Sequence, residues 1–90
     1  MQMKLVLIEW VDSYGCSPNW EDLTETANPE PMMCRSVGWL LHDGSGCKVI
    51  VPHVADVTND SQQGCGNMAI PTACIVRTAD LIERVHRPRG

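Results

Sequence analysis

The sequence contains no phenylalanine and only four aromatic residues, three tryptophans and one tyrosine, among its 90 residues. Aliphatic side chains must therefore fill most of the interior. The chain also lacks the run of about 18 apolar residues that a membrane-spanning helix requires. Its apolar opening segment is short, is interrupted by Glu9 and is followed by no small-residue cleavage site. We expect neither a membrane span nor a secretion signal.

Positive charge is also scarce, because seven Lys and Arg residues stand against eleven Asp and Glu residues. The net charge of the chain is −4, whereas nucleic-acid-binding proteins usually have a basic surface. We therefore expect no nucleic-acid partner. One basic cluster near the end of the chain is the exception, and we interpret it as a solvated, frayed terminus. It consists of Arg84, His86, Arg87 and Arg89.

The five cysteines, an odd number without a secretion signal, indicate reduced thiols and a cytoplasmic location. They are 9 to 18 positions apart, so no pair has the close spacing of a structural zinc site, and we expect no metal. Only distant ligands such as Cys34, Cys47 and His53 could assemble one. We expect no cofactor either.

The sequence up to residue 54 predicts three strands and a short helix, and a hairpin turn joins the last two strands. Residues 3–11 favour a strand that is apolar on both faces and therefore central. Residues 18–25 suit a short helix, since a serine precedes Pro18 and acidic residues follow. Residues 33–42 form a strand, and the Asp-Gly-Ser-Gly turn at 43–46 returns the chain into a strand over 47–54.

The rest of the sequence predicts a polar loop and two short strands. Residues 55–66 form the loop, a length that is often functional. Strands follow at 67–70 and 75–78, with a single turn at 71–74 between them. Residues 79–85 extend the last strand or form a short helix.

About five short strands predict a mainly-β fold, and the final strand–turn–strand resembles the closing strands of SH3-like and Sm-like barrels. Residues 1–86 would form one small β-barrel domain, with one short helix after the first strand as an option. Residues 87–90 would be a flexible tail.

Four short segments together resemble a group of small accessory proteins encoded by tailed bacteriophages, most of unassigned function. These are Trp10-Val11-Asp12-Ser13, Ser36-Val37-Gly38-Trp39-Leu40, Pro52-His53, and Gln63-Gly64 followed by Ile70-Pro71. The resemblance implies a protein made in an infected bacterium that binds a host factor or sequesters a host nucleotide signal. It implies no catalytic residues.

The preferred ligand site is the glycine-containing loop at 63–66, where backbone N–H groups could hold an anion together with Arg35 and His53. Trp20 lies in a polar, irregular segment and is the best aromatic candidate for a contact surface, whereas Trp10 and Trp39 suit the core. The predicted ligand-binding residues are Asp12, Ser13, Trp20, Arg35, Ser36, His53, Gln63 and Gly64.

A catalytic alternative pairs the Cys65 thiol with His53 as its base, but 90 residues leave little room for a complete site. We therefore expect a non-enzymatic protein that sequesters a small anionic molecule, such as a nucleotide immune signal, between subunits of a homo-oligomer. The first alternative is a protein that inhibits a host enzyme or defence protein, since its acidic charge suits a basic partner. The second is an Sm-like RNA-binding ring.

Overall fold

A computed structural model describes residues 2–13, 18–25, 30–58 and 60–86. The described chain is mainly β, as predicted, with seven strands rather than about five. They are β1 (Leu5–Asp12), β2 (Met32–Asp43), β3 (Cys47–Val51), β4 (His53–Ala55), β5 (Gln63–Cys65), β6 (Met68–Pro71) and β7 (Ile75–Asp80). A 3₁₀ helix, Thr72–Cys74, forms the predicted turn between β6 and β7. Within the described ranges, no helix has the length and apolarity needed to cross a membrane.

Five strands form an antiparallel sheet in the order β6-β3-β2-β1-β7, while β4 and β5 pair separately. β1 has a partner on each side, which confirms the prediction that it is central. β6 and β7 lie at opposite ends of the strand order, yet only the three residues Thr72–Cys74 connect them. The two outer strands must therefore approach each other at this connection, and the sheet has to bend strongly.

The buried core is small and aliphatic. It consists of Val6, Ile8, Ile50 and Ile70, each at most 2% exposed, and Trp10, Leu40 and Ile75 pack against it. The four buried residues come from β1, β3 and β6. Because β1 and β6 are separated by two strands in the sheet, the bend is what brings their side chains into one cluster.

The smaller side chains of β2 face this core. Gly38 is buried, and a Cβ atom there would lie 3.1 Å from both Ile50 Cβ and the Val51 carbonyl oxygen. Next to it, Trp10 Nε1–H donates a hydrogen bond of 3.0 Å to Ser36 Oγ. Trp39 lies on the opposite face of β2 and is half-buried, so its predicted place in the core is wrong. Trp10 contacts the core but is also only half-buried.

The helix predicted over residues 18–25 is absent from that described segment. Instead, the Asp22 carboxylate accepts hydrogen bonds from the Thr24 N–H (2.9 Å) and from Thr24 Oγ1 (2.6 Å). The Glu25 N–H donates to the Asp22 carbonyl and closes a turn. A side chain that bonds nearby backbone competes with helix formation. Trp20 and Leu23 are 103% and 80% exposed, so no apolar packing would favour a helix.

Two other boundaries also differ from prediction. The strand expected over residues 47–54 ends at Val51, because Pro52 interrupts it, and resumes as β4. The polar loop expected over residues 55–66 contains β5, which pairs with β4. At the end of the chain β7 extends to Asp80, and residues 81–86 have no regular secondary structure. The predicted tail at 87–90 lies outside the described residues.

Candidate functional site

The β4–β5 hairpin covers the end of β3 on the face away from the core. In this hairpin His53 is paired with Cys65, Val54 with Gly64 and Ala55 with Gln63. A Cβ atom on Gly64 would lie only 2.8 Å from Val51 Cγ1, so the glycine lets the hairpin backbone approach β3 closely. This contact contributes to the burial of Val51, which is 2% exposed.

Two adjoining clefts of about 280 and about 300 Å³ lie beside this hairpin, and both are lined by Met3, Val54 and Gln62. We call them together the hairpin cleft. Its apolar walls also include Trp39 and Leu41. Small-molecule and peptide side-chain sites typically combine such apolar walls with a few polar groups.

The polar lining of the hairpin cleft is acidic and amide-rich. Its charged members are Asp60 and Glu83, and no lysine, arginine or histidine lines it in the described chain. The uncharged polar members include Gln62, Gln63 and Asn67. Carboxylates accept hydrogen bonds and carry negative charge. The cleft therefore suits a hydrogen-bond donor or a cation better than an anion.

Gln62 shows this preference most directly. Its Nε2 donates a hydrogen bond of 2.9 Å to the Val57 carbonyl oxygen. Since a carbonyl can only accept, the amide nitrogen must face it, and Oε1 then points the other way. Oε1 is buried and has no hydrogen-bond partner among the described residues. An unsatisfied buried acceptor costs roughly 1–3 kcal/mol, and a donor in the cleft would offset that cost if the side chain turned this oxygen towards it.

A second polar feature crosses three strands on the face away from the core. Glu9 on β1 is in register with Arg35 on β2 and with Arg77 on β7. Arg77 Nη2 lies 2.6 Å from Glu9 Oε1, and Arg35 Nε lies 3.7 Å from it. The hydrogen bond from Arg77, with the charges of both guanidinium groups, lowers the pKa of Glu9. Two cations against one carboxylate leave this Arg35–Glu9–Arg77 row with one net positive charge.

The structure brings three of the predicted ligand-binding residues together. Gln63 and Gly64 line the hairpin cleft, and His53 lies exposed on the adjacent strand. The predicted backbone anion nest does not form, because Gln63–Cys65 is an extended, paired strand. Successive N–H groups of a strand point to opposite sides instead of converging on one ion.

The other predicted ligand-binding residues are dispersed. Arg35 is paired with Glu9, and Ser36 faces the core side, where it accepts the bond from Trp10. Asp12 and Ser13 lie at the far end of β1, where Asp12 Oδ1 accepts the Ser13 N–H at 2.8 Å. At roughly 3.3 Å per residue, Asp12 is about 23 Å from the start of β1, which borders the cleft. Trp20 is fully exposed in the connection between β1 and β2.

Sequence reasoning missed Asp60, Glu83 and Gln62, which supply the acidic and the buried polar part of the lining. For Asp60 and Gln62, the only signal was the run of polar residues before Gln63 in the predicted loop. That run does not reveal that the Gln62 oxygen becomes buried, since its burial depends on the pairing of β4 with β5.

The thiols and imidazoles show no developed catalytic or metal site in the described chain. Cys65 and His53 are cross-strand neighbours, as the catalytic alternative requires, but no hydrogen bond between them is present among these residues. The cysteines at 34, 47, 65 and 74 are free. No three Cys, His, Asp or Glu side chains of the described ranges are grouped closely enough to hold a metal ion.

Comparison with known proteins finds no matching family model, no similar curated protein and no similar solved structure. The geometry described above is therefore the basis for a functional proposal.

Proposed function

We propose that this protein is a non-enzymatic binding module that takes a basic side chain of a partner protein into the hairpin cleft. The observation that carries the proposal is the chemistry of the lining. It presents two carboxylates, several amides and the buried, unpartnered Gln62 Oε1, without a cationic side chain among the described lining residues. Such a lining is complementary to the donors of an arginine or lysine.

The shape of the cleft supports the same occupant. Arginine and lysine bury an aliphatic stem along apolar surface while the charged head remains near polar groups. Met3 and Val54 would contact the stem, and the planar guanidinium of an arginine would face the Asp60 carboxylate. The net charge of −4 would favour encounter with a basic partner surface.

We include an SH3-like barrel fold in the proposal, because the sheet that carries the cleft has a strand arrangement consistent with it. Two features support it: the antiparallel order β6-β3-β2-β1-β7, and the single 3₁₀ turn that joins the two outer strands. SH3 domains bind extended peptides on their surface without catalysis. Under this proposal the partner is a host enzyme or defence protein, and the phage context stays a prediction from sequence resemblance.

A small anionic ligand, such as a nucleotide, is the second candidate. The observation that favours it is the net positive Arg35–Glu9–Arg77 row, which includes a residue predicted to bind an anion. An anion would have to compete with Glu9 for both guanidinium groups. The row is also exposed, where electrostatic attraction is weakened by solvent. We therefore place this candidate second.

An NMR titration of the ¹⁵N-labelled chain distinguishes the two candidates. The probes are two capped peptides that differ only in carrying arginine or glutamate, and a panel of mono-, di- and cyclic nucleotides. The arginine peptide is expected to shift the Gln62 side-chain amide and the Gly64 N–H. Nucleotide shifts confined to Arg35 and Arg77 would instead support the second candidate, and equal shifts with both peptides would contradict the first.

Charge-removing variants then test the lining itself. Asp60→Asn and Glu83→Gln should each weaken binding of the arginine peptide by about 1.5- to 5-fold, the range expected for exposed ion pairs. Glu21→Gln removes the same charge from an exposed carboxylate outside the cleft and serves as the matched control. Equal weakening by all three variants would show a general charge effect and contradict a specific site.

A further inference from the structure

Strand β2 is much longer than its neighbour β3. β3 pairs only with the second part of β2, from Trp39 to Asp43. β1 pairs with the first part, from Met32 to Trp39. Residues 32–38 therefore have a strand on one side only within the described chain.

The backbone of this half-strand has a defined direction. The Leu40 N–H donates to the Lys4 carbonyl at 2.7 Å, on the β1 side. Alternate residues of a strand direct their N–H and C=O groups to opposite sides. The odd-numbered residues of β2 therefore direct their backbone N–H and C=O groups away from β1. We call Met33, Arg35 and Val37, whose backbone groups point this way, the open edge of β2.

Two side chains of the open edge are apolar and exposed, with Met33 at 60% and Val37 at 50%. A long, unprotected strand edge with apolar side chains is a template for pairing with another strand. The outer strands β6 and β7 are less suited to this role. Pro71 ends β6, and β7 carries the charges of Arg77 and Asp80.

We propose that a second copy of the chain pairs antiparallel with the open edge of β2, so that one continuous sheet crosses a two-fold axis. A two-fold interface is self-complementary, which a single strand edge satisfies with its own copy. The open edge contains no residue that lines the hairpin cleft. Dimerisation and the proposed function can therefore fail separately.

The charge on the edge selects the register. If the two-fold axis passed through the Arg35 pair, two like charges would lie directly opposite each other, which is unfavourable. If the axis passes through the Cys34 pair instead, Met33 lies opposite Arg35 of the partner subunit. The two Cys34 residues then form a non-hydrogen-bonded pair whose Cβ atoms are about 4.5–5.5 Å apart. That separation is close to the range in which a disulfide can form.

The oligomeric state is the first test. Analytical ultracentrifugation of the full chain should show a monomer–dimer equilibrium, and Met33→Pro, at a position that faces Arg35 of the partner subunit in this register, should raise its dissociation constant about tenfold or more. This proline removes an N–H from the open edge without removing a bond to β1. Val76→Pro is the matched control, since Val76 is 60% exposed and lies on β7 where its register with β1 shifts. Circular dichroism and NMR spectra establish that both variants are folded.

The register is tested with the natural cysteine. Diamide oxidises two thiols to a disulfide and takes up their two protons and two electrons, so it should yield a covalent dimer. Mass spectrometry is expected to identify the Cys34–Cys34 link, and Cys34→Ser should abolish it. A monomer at every concentration, a dimer equally weakened by both proline variants, or a dimer without the Cys34 link would overturn the proposal.

Discussion

The two halves of strand β2 differ sharply in their surroundings. Residues 39–43 pair with β3, Trp39 also pairs with β1, and Leu40 packs against the core beside Ile50. Residues 32–38 have only β1 as a neighbouring strand in the described chain, and their larger apolar side chains point to solvent. The same strand therefore packs Leu40 against the core in one half and presents Met33 and Val37 to solvent in the other.

The core itself spans both halves of β2. Ile50 on β3 is paired with Leu40 of residues 39–43, the closed half, whereas Val6 and Ile8 on β1 are paired with Gly38 and Ser36 of residues 32–38, the open half. The open half contributes chiefly through the small side of the strand, where Ser36 and Gly38 allow close approach. Substitutions in the two halves should consequently differ in their effect on the free energy of unfolding.

The largest expected difference is between Ile50→Ala and Val37→Ala. Ile50 is 2% exposed in the core, so truncation should lower the free energy of unfolding by about 2–5 kcal/mol through lost burial and a residual cavity. Val37 is 50% exposed, and its truncation should cost about 0.5 kcal/mol or less in the monomer. Urea denaturation at low protein concentration measures both.

Similar losses for the two variants would contradict the comparison, because they would show that the open half is packed in solution. Repeating the denaturation at high protein concentration extends the test. If dimerisation covers the open edge, the loss for Val37→Ala should increase with concentration, since a partner stabilises the folded state by mass action.

The boundary between the halves gives the next largest effect. In Gly38→Ala the new Cβ would meet Ile50 Cβ and the Val51 carbonyl oxygen at 3.1 Å, and relieving this overlap should cost about 1–3 kcal/mol. Gly46→Ala is the matched control, because its Cβ would have no described atom within 4 Å beyond its chain neighbours. Thermal unfolding compares the two. An unchanged melting temperature for Gly38→Ala would show that β2 and β3 can separate without loss.

The sequence predicted the locally encoded parts of this architecture. The central β1, the hairpin at residues 43–46 and the single turn before Ile75 follow from alternating apolar residues and turn residues close together in the chain. The helix at 18–25 was wrong because its capping residues were not accompanied by a buried face. Strand β5 was missed because Gln63–Cys65 is short and polar, and only its pairing with β4 makes it a strand.

The candidate site was predictable only in part for the same reason. Gln63 and Gly64 were selected within a polar segment, and they do line the cleft. The pairing of Arg35 with Glu9 could not be derived, since the two residues meet across β1 and β2 at a register that no local pattern specifies. The buried oxygen of Gln62 likewise depends on the hairpin backbone, through its bond to Val57.

The smallest expected effect concerns the acid dependence of the Arg35–Glu9–Arg77 row. The bond from Arg77 holds the pKa of Glu9 below its ordinary value of 4.5. A carboxyl whose pKa is lower when folded stabilises the folded state above its ordinary value, and this contribution is lost as the pH falls through the lowered pKa. Wild type should therefore have a higher melting temperature than Glu9→Gln at about pH 6, and this difference should close as the pH falls below 4.5.

Because the row is exposed to solvent, the difference in melting temperature between wild type and Glu9→Gln at neutral pH should be small and should decrease with added salt. Glu21→Gln is the control for loss of an exposed carboxylate outside the row, and it should show no such pH-dependent difference. If the Glu9→Gln difference stayed constant from neutral to acid pH, its cause would be packing of the side chain on the sheet. The row would then be a structural feature of the open half rather than an electrostatic one.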